Sequence, residues 1–228
     1  MRVVFRFALP AVLATSVADA QAPLQGLLEM PRLFGAGACD PAPPEPVPLH
    51  AAPHGTRVGE IRVHTPYRAL PEGGCRPVVV RVVRGGREDS LPTREVAYEV
   101  PAAIVTARVD GWSRVRLGAA EVWIADSTSG RYVPYETLVR EGLAYVTDVA
   151  PASLRTAPAG VGGARIAADA SVRVLDSRRV RDALWFEVAV LRGSPCGDDA
   201  DPPVVARGWV PAHDARGEPT VWFNSRGC

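Results

Sequence analysis

Several sets of side chains in this 228-residue sequence have the types and spacing for chemistry. The chain closes on Ser225-Arg226-Gly227-Cys228, and His213 lies upstream. A cysteine beside a histidine could in principle supply a thiolate nucleophile. Against that, Cys228 is followed by no strand to hold it, and in a disulfide it would carry no thiolate. Trp112, Arg114 and Arg116 recur at every second position, as do Trp185 and Glu187. On a strand that spacing puts each set on one face. An indole beside charge suits an extended peptide or glycan, because the ring offers contact area and arginine pairs with carboxylates. Asp198, Asp199 and Asp201 could ligate calcium, although a solvated acidic loop is the simpler reading. His50 and His54 stand four apart, but Pro53 intervenes and the segment is not helical, so they form no metal face. No G-x-S-x-G, H-E-x-x-H or phosphate-cradling glycine loop occurs, and no cofactor or metal is expected.

The elements that must carry these residues occur twice. Leu49-His50-Ala51-Ala52-Pro53, then Trp112 to Val115, then Trp123-Ile124 in the first half are matched by Leu154-Arg155-Thr156-Ala157-Pro158, Trp185 to Val188 and Trp209-Val210 in the second. The order L-x-x-A-P, W-x-x-V, W-[IV] points to one module used twice. Period-2 patterning predicts strands over 57–63, 77–83, 95–100, 102–109, 112–117 and 121–125, and again over 170–175, 183–191, 204–210 and 220–223. Val115 and Leu117, and likewise Phe186, Val188 and Val190, would face inward, leaving Trp112 and Trp185 on outer faces, where each ring either meets a ligand or lies under a long loop and fills space. Helical signal is confined to Tyr135–Gly142, between Pro134 and a glycine stop. Tyr132, Tyr135 and Tyr145 cluster there and are expected to pack the halves together. Residues 21–48 read as an N-terminal strap with a proline-rich lead, 49–133 as the first module, 134–148 as the linking helix and 149–228 as the second module. Insertions containing Cys75 and Cys196 are expected as loops, at about His64–Arg94 and Arg192–Pro203.

Residues 1–20 have the parts of a secretory signal: Arg2 and Arg6, an apolar stretch from Phe7 to Ala18, and small residues at the cleavage positions. The apolar stretch is too short to span a bilayer, so no stable membrane insertion is expected. Without those residues the chain is formally neutral, which removes any global electrostatic drive towards nucleic acid. Every basic residue is arginine. The four cysteines, Cys39, Cys75, Cys196 and Cys228, suit disulfides in an exported protein, with three connectivities open. Segregation by repeat favours Cys39 with Cys75 and Cys196 with Cys228.

The pattern L-x-x-x-P, G-W-x-x-V and G-[WY]-[VI] resembles the bacterial SH3-like domain family of exported and cell-wall-associated proteins, over about Leu49–Asp126 and Leu154–Asp214. The resemblance implies a mainly β protein, two SH3-like small β-barrels joined by a short helix, in the periplasm or outside the cell. It also implies non-catalytic binding of a cell-wall peptide or an exported protein, through Trp112, Arg114, Arg116, Trp185 and Glu187. An interaction or inhibitor protein acting through its insertion loops is the alternative. The ending at Cys228 resembles the S-H-G-C nucleophile motif of L,D-transpeptidases, but Arg226 stands where that motif has histidine, which makes a thiol enzyme the remote alternative.

Overall fold

A computed structural model describes residues 22–34, 45–65, 68–69, 75–76, 79–98, 100–197 and 201–228. The expected signal segment, the proposed Cys39–Cys75 pairing and Asp198 and Asp199 lie outside the described residues. In chain order the elements are β1 (Gly26–Glu29), α1 (Pro31–Phe34), β2 (Val47–His50), β3 (Arg57–Thr65), β4 (Arg68–Ala69), β5 (Cys75–Arg76), β6 (Val79–Arg84), β7 (Arg87–Ser90), β8 (Thr93–Ala97), β9 (Val100–Val109), β10 (Trp112–Leu117), β11 (Ala120–Ala125) and β12 (Tyr132–Pro134). Then follow α2 (Tyr135–Glu141), β13 (Ala144–Val146), β14 (Ser153–Arg155), β15 (Gly162–Arg165), β16 (Ser171–Val180), β17 (Ala183–Leu191), β18 (Val204–Pro211) and β19 (Val221–Phe223). The protein is mainly β, as its alternating valines and isoleucines require, and α2 falls where the sequence places a helix.

Strand order shows how the two halves correspond. One sheet runs β12-β1-β9-β10-β11-β2-β3, continues through β6 and β7, and has β8 beside β9. The other runs β19-β13-β16-β17-β18-β14-β15, the same seven-strand path. Registers agree as well. Arg114 pairs with Trp123 on one side and Ala107 on the other, and Glu187 pairs with Trp209 and Asp176. A bulge follows at the same place in each: Val115 faces Val105 with Thr106 passed over, and Val188 faces Val174 with Leu175 passed over. The L-x-x-A-P segments form the same turn, in which Ala51 N–H donates to Thr56 O and Thr156 N–H donates to Val161 O. His54 and Ala159 both take a left-handed backbone there, at φ 55° and 56°.

The N-terminal strap packs as a strand: β1 enters the sheet between β9 and β12, and its equivalent is β13, so each seven-strand path begins well before its L-x-x-A-P motif. Within the first insertion, β6 falls on the strand expected at 77–83, while β7 is not among the expected strands, and both extend the sheet. Val80 and Val82 of β6 are buried in the first core, which explains why this segment is valine-rich.

Burial of both faces of β1 and β9 joins the halves. Leu28, Ala103 and Val105 face a core with Leu49, Ile61, Val115 and Ile124. Their alternates Leu27, Ala102 and Ile104 face a second core with Leu154, Phe186, Val188 and Val210. Successive residues on a strand point to opposite faces, so one pair of strands walls both cores. Tyr135, at the start of α2, fills the junction. It is 1% exposed, makes edge contact with Phe186, and its hydroxyl lies 2.5 Å from Val221 O and 3.2 Å from Ala212 O.

Candidate functional site

Of the two readings of Trp112, a ligand contact or a ring under a loop, the first repeat shows the ring covered. Trp112 is 8% exposed because the turn after β2 folds over it. His50 and His54 meet its ring edge-on at 4.9 and 5.1 Å between centroids, and the Trp112 indole N–H donates to His54 Nε2 at 3.2 Å. Arg114 is half-buried, paired with Glu121 and bonded through Nε to Thr106 Oγ1. Arg116 is 9% exposed and committed elsewhere: it donates to Ala22 O at 2.8 Å and to Glu218 at 3.4 Å. These three side chains tie segments together.

The second repeat is less closed. Phe186, Val188 and Val190 are buried while Trp185 and Glu187 are half-buried on the other face, following the alternation read from sequence. Glu187 stands opposite Trp209, over which the Arg178 guanidinium sits at 5.1 Å.

Cys196 and Cys228 are joined in a disulfide, as segregation by repeat suggested. Cys228 is therefore no thiolate, and His213 Nε2 bonds Leu24 O at 2.8 Å instead. The tail before the disulfide clasps the first repeat. Ser225 Oγ donates to one Glu95 oxygen and Arg226 binds both, holding the Glu95 carboxyl below the usual carboxylate range. Asp201 pairs with Arg173. Among the described residues no group of three or more potential metal ligands converges, and no helix is long and apolar enough to cross a membrane.

A cleft of about 550 Å³ lies where the repeats meet. Its floor is apolar, from Leu24, Pro134, Tyr135, Leu184 and Pro211. Tyr132 forms part of the wall, its ring under the Arg108 guanidinium at 4.3 Å and its hydroxyl donating to Gln25 O at 2.7 Å. Burial pushes the Tyr132 phenol up, Arg108 and Arg179 oppose this, and Glu136 adds to it. Arg179 is placed here by register: it pairs with buried Leu184 and shares its face, whereas neighbouring Arg178 points to the opposite face and Trp209. His213 closes the cleft from the loop after β18. Its desolvation, and secondarily Arg179, hold the imidazole below its ordinary range, so at neutral pH it donates an N–H to Leu24 O without adding charge.

The hairpin supplying Arg179 differs from its counterpart. Trp112 pairs with Val109 directly before the Asp110-Gly111 turn, whereas Trp185, its register equivalent, pairs with Arg178 and two further pairs precede the Arg181-Asp182 turn. That extension reaches the cleft and brings Arg179, Asp182, Ala183 and Leu184 into its lining. The sequence signal was present in Arg178-Arg179-Val180-Arg181-Asp182, a charged run that reads as a solvated loop until register separates its faces. No family model, curated protein or solved structure matches the chain.

Proposed function

We propose that this is a non-catalytic binding protein of the periplasm or cell exterior, built from two SH3-like barrels joined by a short helix. Its ligand is a cell-wall peptide or a segment of an exported protein. The observation carrying this reading is the cleft at the repeat junction, within the roughly 300–1,000 Å³ range of ligand sites, with an apolar floor and a few polar groups brought from distant parts of the chain. The disulfide between Cys196 and Cys228 suits an oxidising compartment, and the shared strand path and bulge support a duplicated barrel. A second reading places the ligand on the half-open face of Trp185 and Glu187.

Co-sedimentation of the oxidised protein with peptidoglycan sacculi tests the proposal, using Arg179→Glu and Glu187→Arg variants shown to be folded. Retention of the wild type with loss in Arg179→Glu supports the cleft. Loss only in Glu187→Arg moves the site to the outer face, and no retention of the wild type rejects wall binding.

A further inference from the structure

Resting on the reading of the junction cleft as the binding site, we infer that its ligand is a short zwitterionic peptide with a free ammonium and a free carboxylate, bound through both. Arg179, Glu136 and Asp182 line this one cavity. Numerous other charged side chains are engaged, including Arg108 with Asp126, Arg116 with Glu218 and Arg226 with Glu95. Asp214, also on the wall, accepts from the backbone N–H groups of Arg216 and Glu218. Among the described residues, no hydrogen bond or ion pair holds the side chain of Arg179, Glu136 or Asp182.

These three groups do not neutralise one another. Arg179 and Glu136 act with opposite sign on the same Tyr132 phenol, yet no ion pair forms between them. A purely anionic ligand at Arg179 would meet Glu136 and Asp182 without compensation, and a purely cationic ligand would meet Arg179. A ligand with both charges offers Arg179 a carboxylate, for which its planar fork is suited, and offers the acids an ammonium. The apolar floor accommodates a small aliphatic stretch between those ends.

The hairpin gives a second line of support. Residues 181 and 182 both lie in the left-handed region, at φ 49° and 68°, as a two-residue hairpin turn of this type requires. The first repeat meets that requirement with Asp110-Gly111, at φ 46° and 77°. The second uses Arg-Asp, a costlier choice for the backbone, and thereby places an acid on the cleft wall where its counterpart has glycine.

Isothermal titration of the oxidised protein with tetraalanine, N-acetyl-tetraalanine and tetraalanine amide provides the test. Tetraalanine is expected to bind, and each cap to weaken binding at least tenfold. Arg179→Gln should abolish discrimination against the amide while retaining it against the acetyl cap. Glu136→Gln combined with Asp182→Asn should do the reverse, and Arg179→Lys should restore part of the carboxylate preference. Near-ultraviolet circular dichroism establishes that each variant is folded. Equal affinity for the three peptides, no binding of tetraalanine at millimolar concentration, or unchanged discrimination in the variants overturns the inference. If sacculi are still retained through Arg179 under any of those results, the binding function stands and only the zwitterionic ligand is rejected. If neither sacculi nor peptides bind, both proposals fall.

Discussion

Two single residues at the junction carry opposite lessons about burial. Tyr135 is buried with its hydroxyl donating to Val221 O, and desolvation drives its phenol pKa far above the usual value, so it acts as a neutral bolt. Tyr135→Phe keeps the ring contacts and removes one buried hydrogen bond, leaving a carbonyl unsatisfied. A loss of about 1–2 kcal/mol is expected from urea unfolding. His213 is half-buried and titratable. Its folded pKa lies below the ordinary 6.5, so the unfolded chain binds the proton more readily. The stability this contributes is complete above about pH 6.5 and declines as pH falls through that value towards the lower folded pKa. Arg179, Asp214 and Glu218 face the ring with mixed sign, leaving desolvation dominant. Urea midpoints should therefore fall from pH 7 to 5.5, and by less in His213→Gln, whose amide can still donate to Leu24 O.

At the scale of elements, equivalent hairpins solve the same geometric problem with unequal turn chemistry. The β9–β10 turn uses glycine at its second position, and a Cβ added to Gly111 would meet nothing within 4 Å. Gly111→Ala should therefore lose only the conformational advantage, about 1 kcal/mol. The β16–β17 turn has Asp182 at the equivalent place, also left-handed. Asp182→Gly should stabilise the fold by roughly 1 kcal/mol, read as a raised midpoint, while weakening any ligand that uses that carboxylate. The opposite signs of these changes at equivalent positions would identify the turn, and not the surrounding packing, as their origin.

For the whole molecule, the shared strands β1 and β9 decide whether two repeats mean two folding units. One core contains Leu27, Ala102 and Ile104 from the first strand path together with Leu154, Phe186 and Val210 from the second. Losing either repeat would expose that core to water, so a single cooperative transition is expected, with a calorimetric to van't Hoff enthalpy ratio near one. Two separated transitions would show that the junction is weaker than its burial suggests. The Cys196–Cys228 bridge spans 32 positions, and chain-entropy reasoning gives it about 3–4 kcal/mol. Replacing both cysteines by serine should lower the unfolding free energy by that order. Hydrogen exchange should also quicken around Glu95, because Ser225 and Arg226 of the tail are held there.

By itself the sequence determined the mainly β character, the central strands, the place of α2 and the twofold recurrence, because these follow from local patterning and from motifs long enough to recognise. Leu49 to Pro53 and Leu154 to Pro158 announce one turn, and Trp112 to Val115 and Trp185 to Val188 announce one strand, as the matching registers bear out. It also supported one disulfide by position. The earlier start of each strand path was harder to see, since Gly26-Leu27 and Gly142-Leu143 are too short a likeness to stand alone. Only the tertiary structure decided that Trp112 is capped by His50 and His54, that Arg116 is spent on Ala22 and Glu218, and that the first insertion widens a sheet. It alone brought Leu24, Tyr132, Arg179 and His213 to one cleft. Period-2 patterning assigns a side chain to a face, but whether that face is open depends on segments far away in the chain, and no local pattern encodes their arrival.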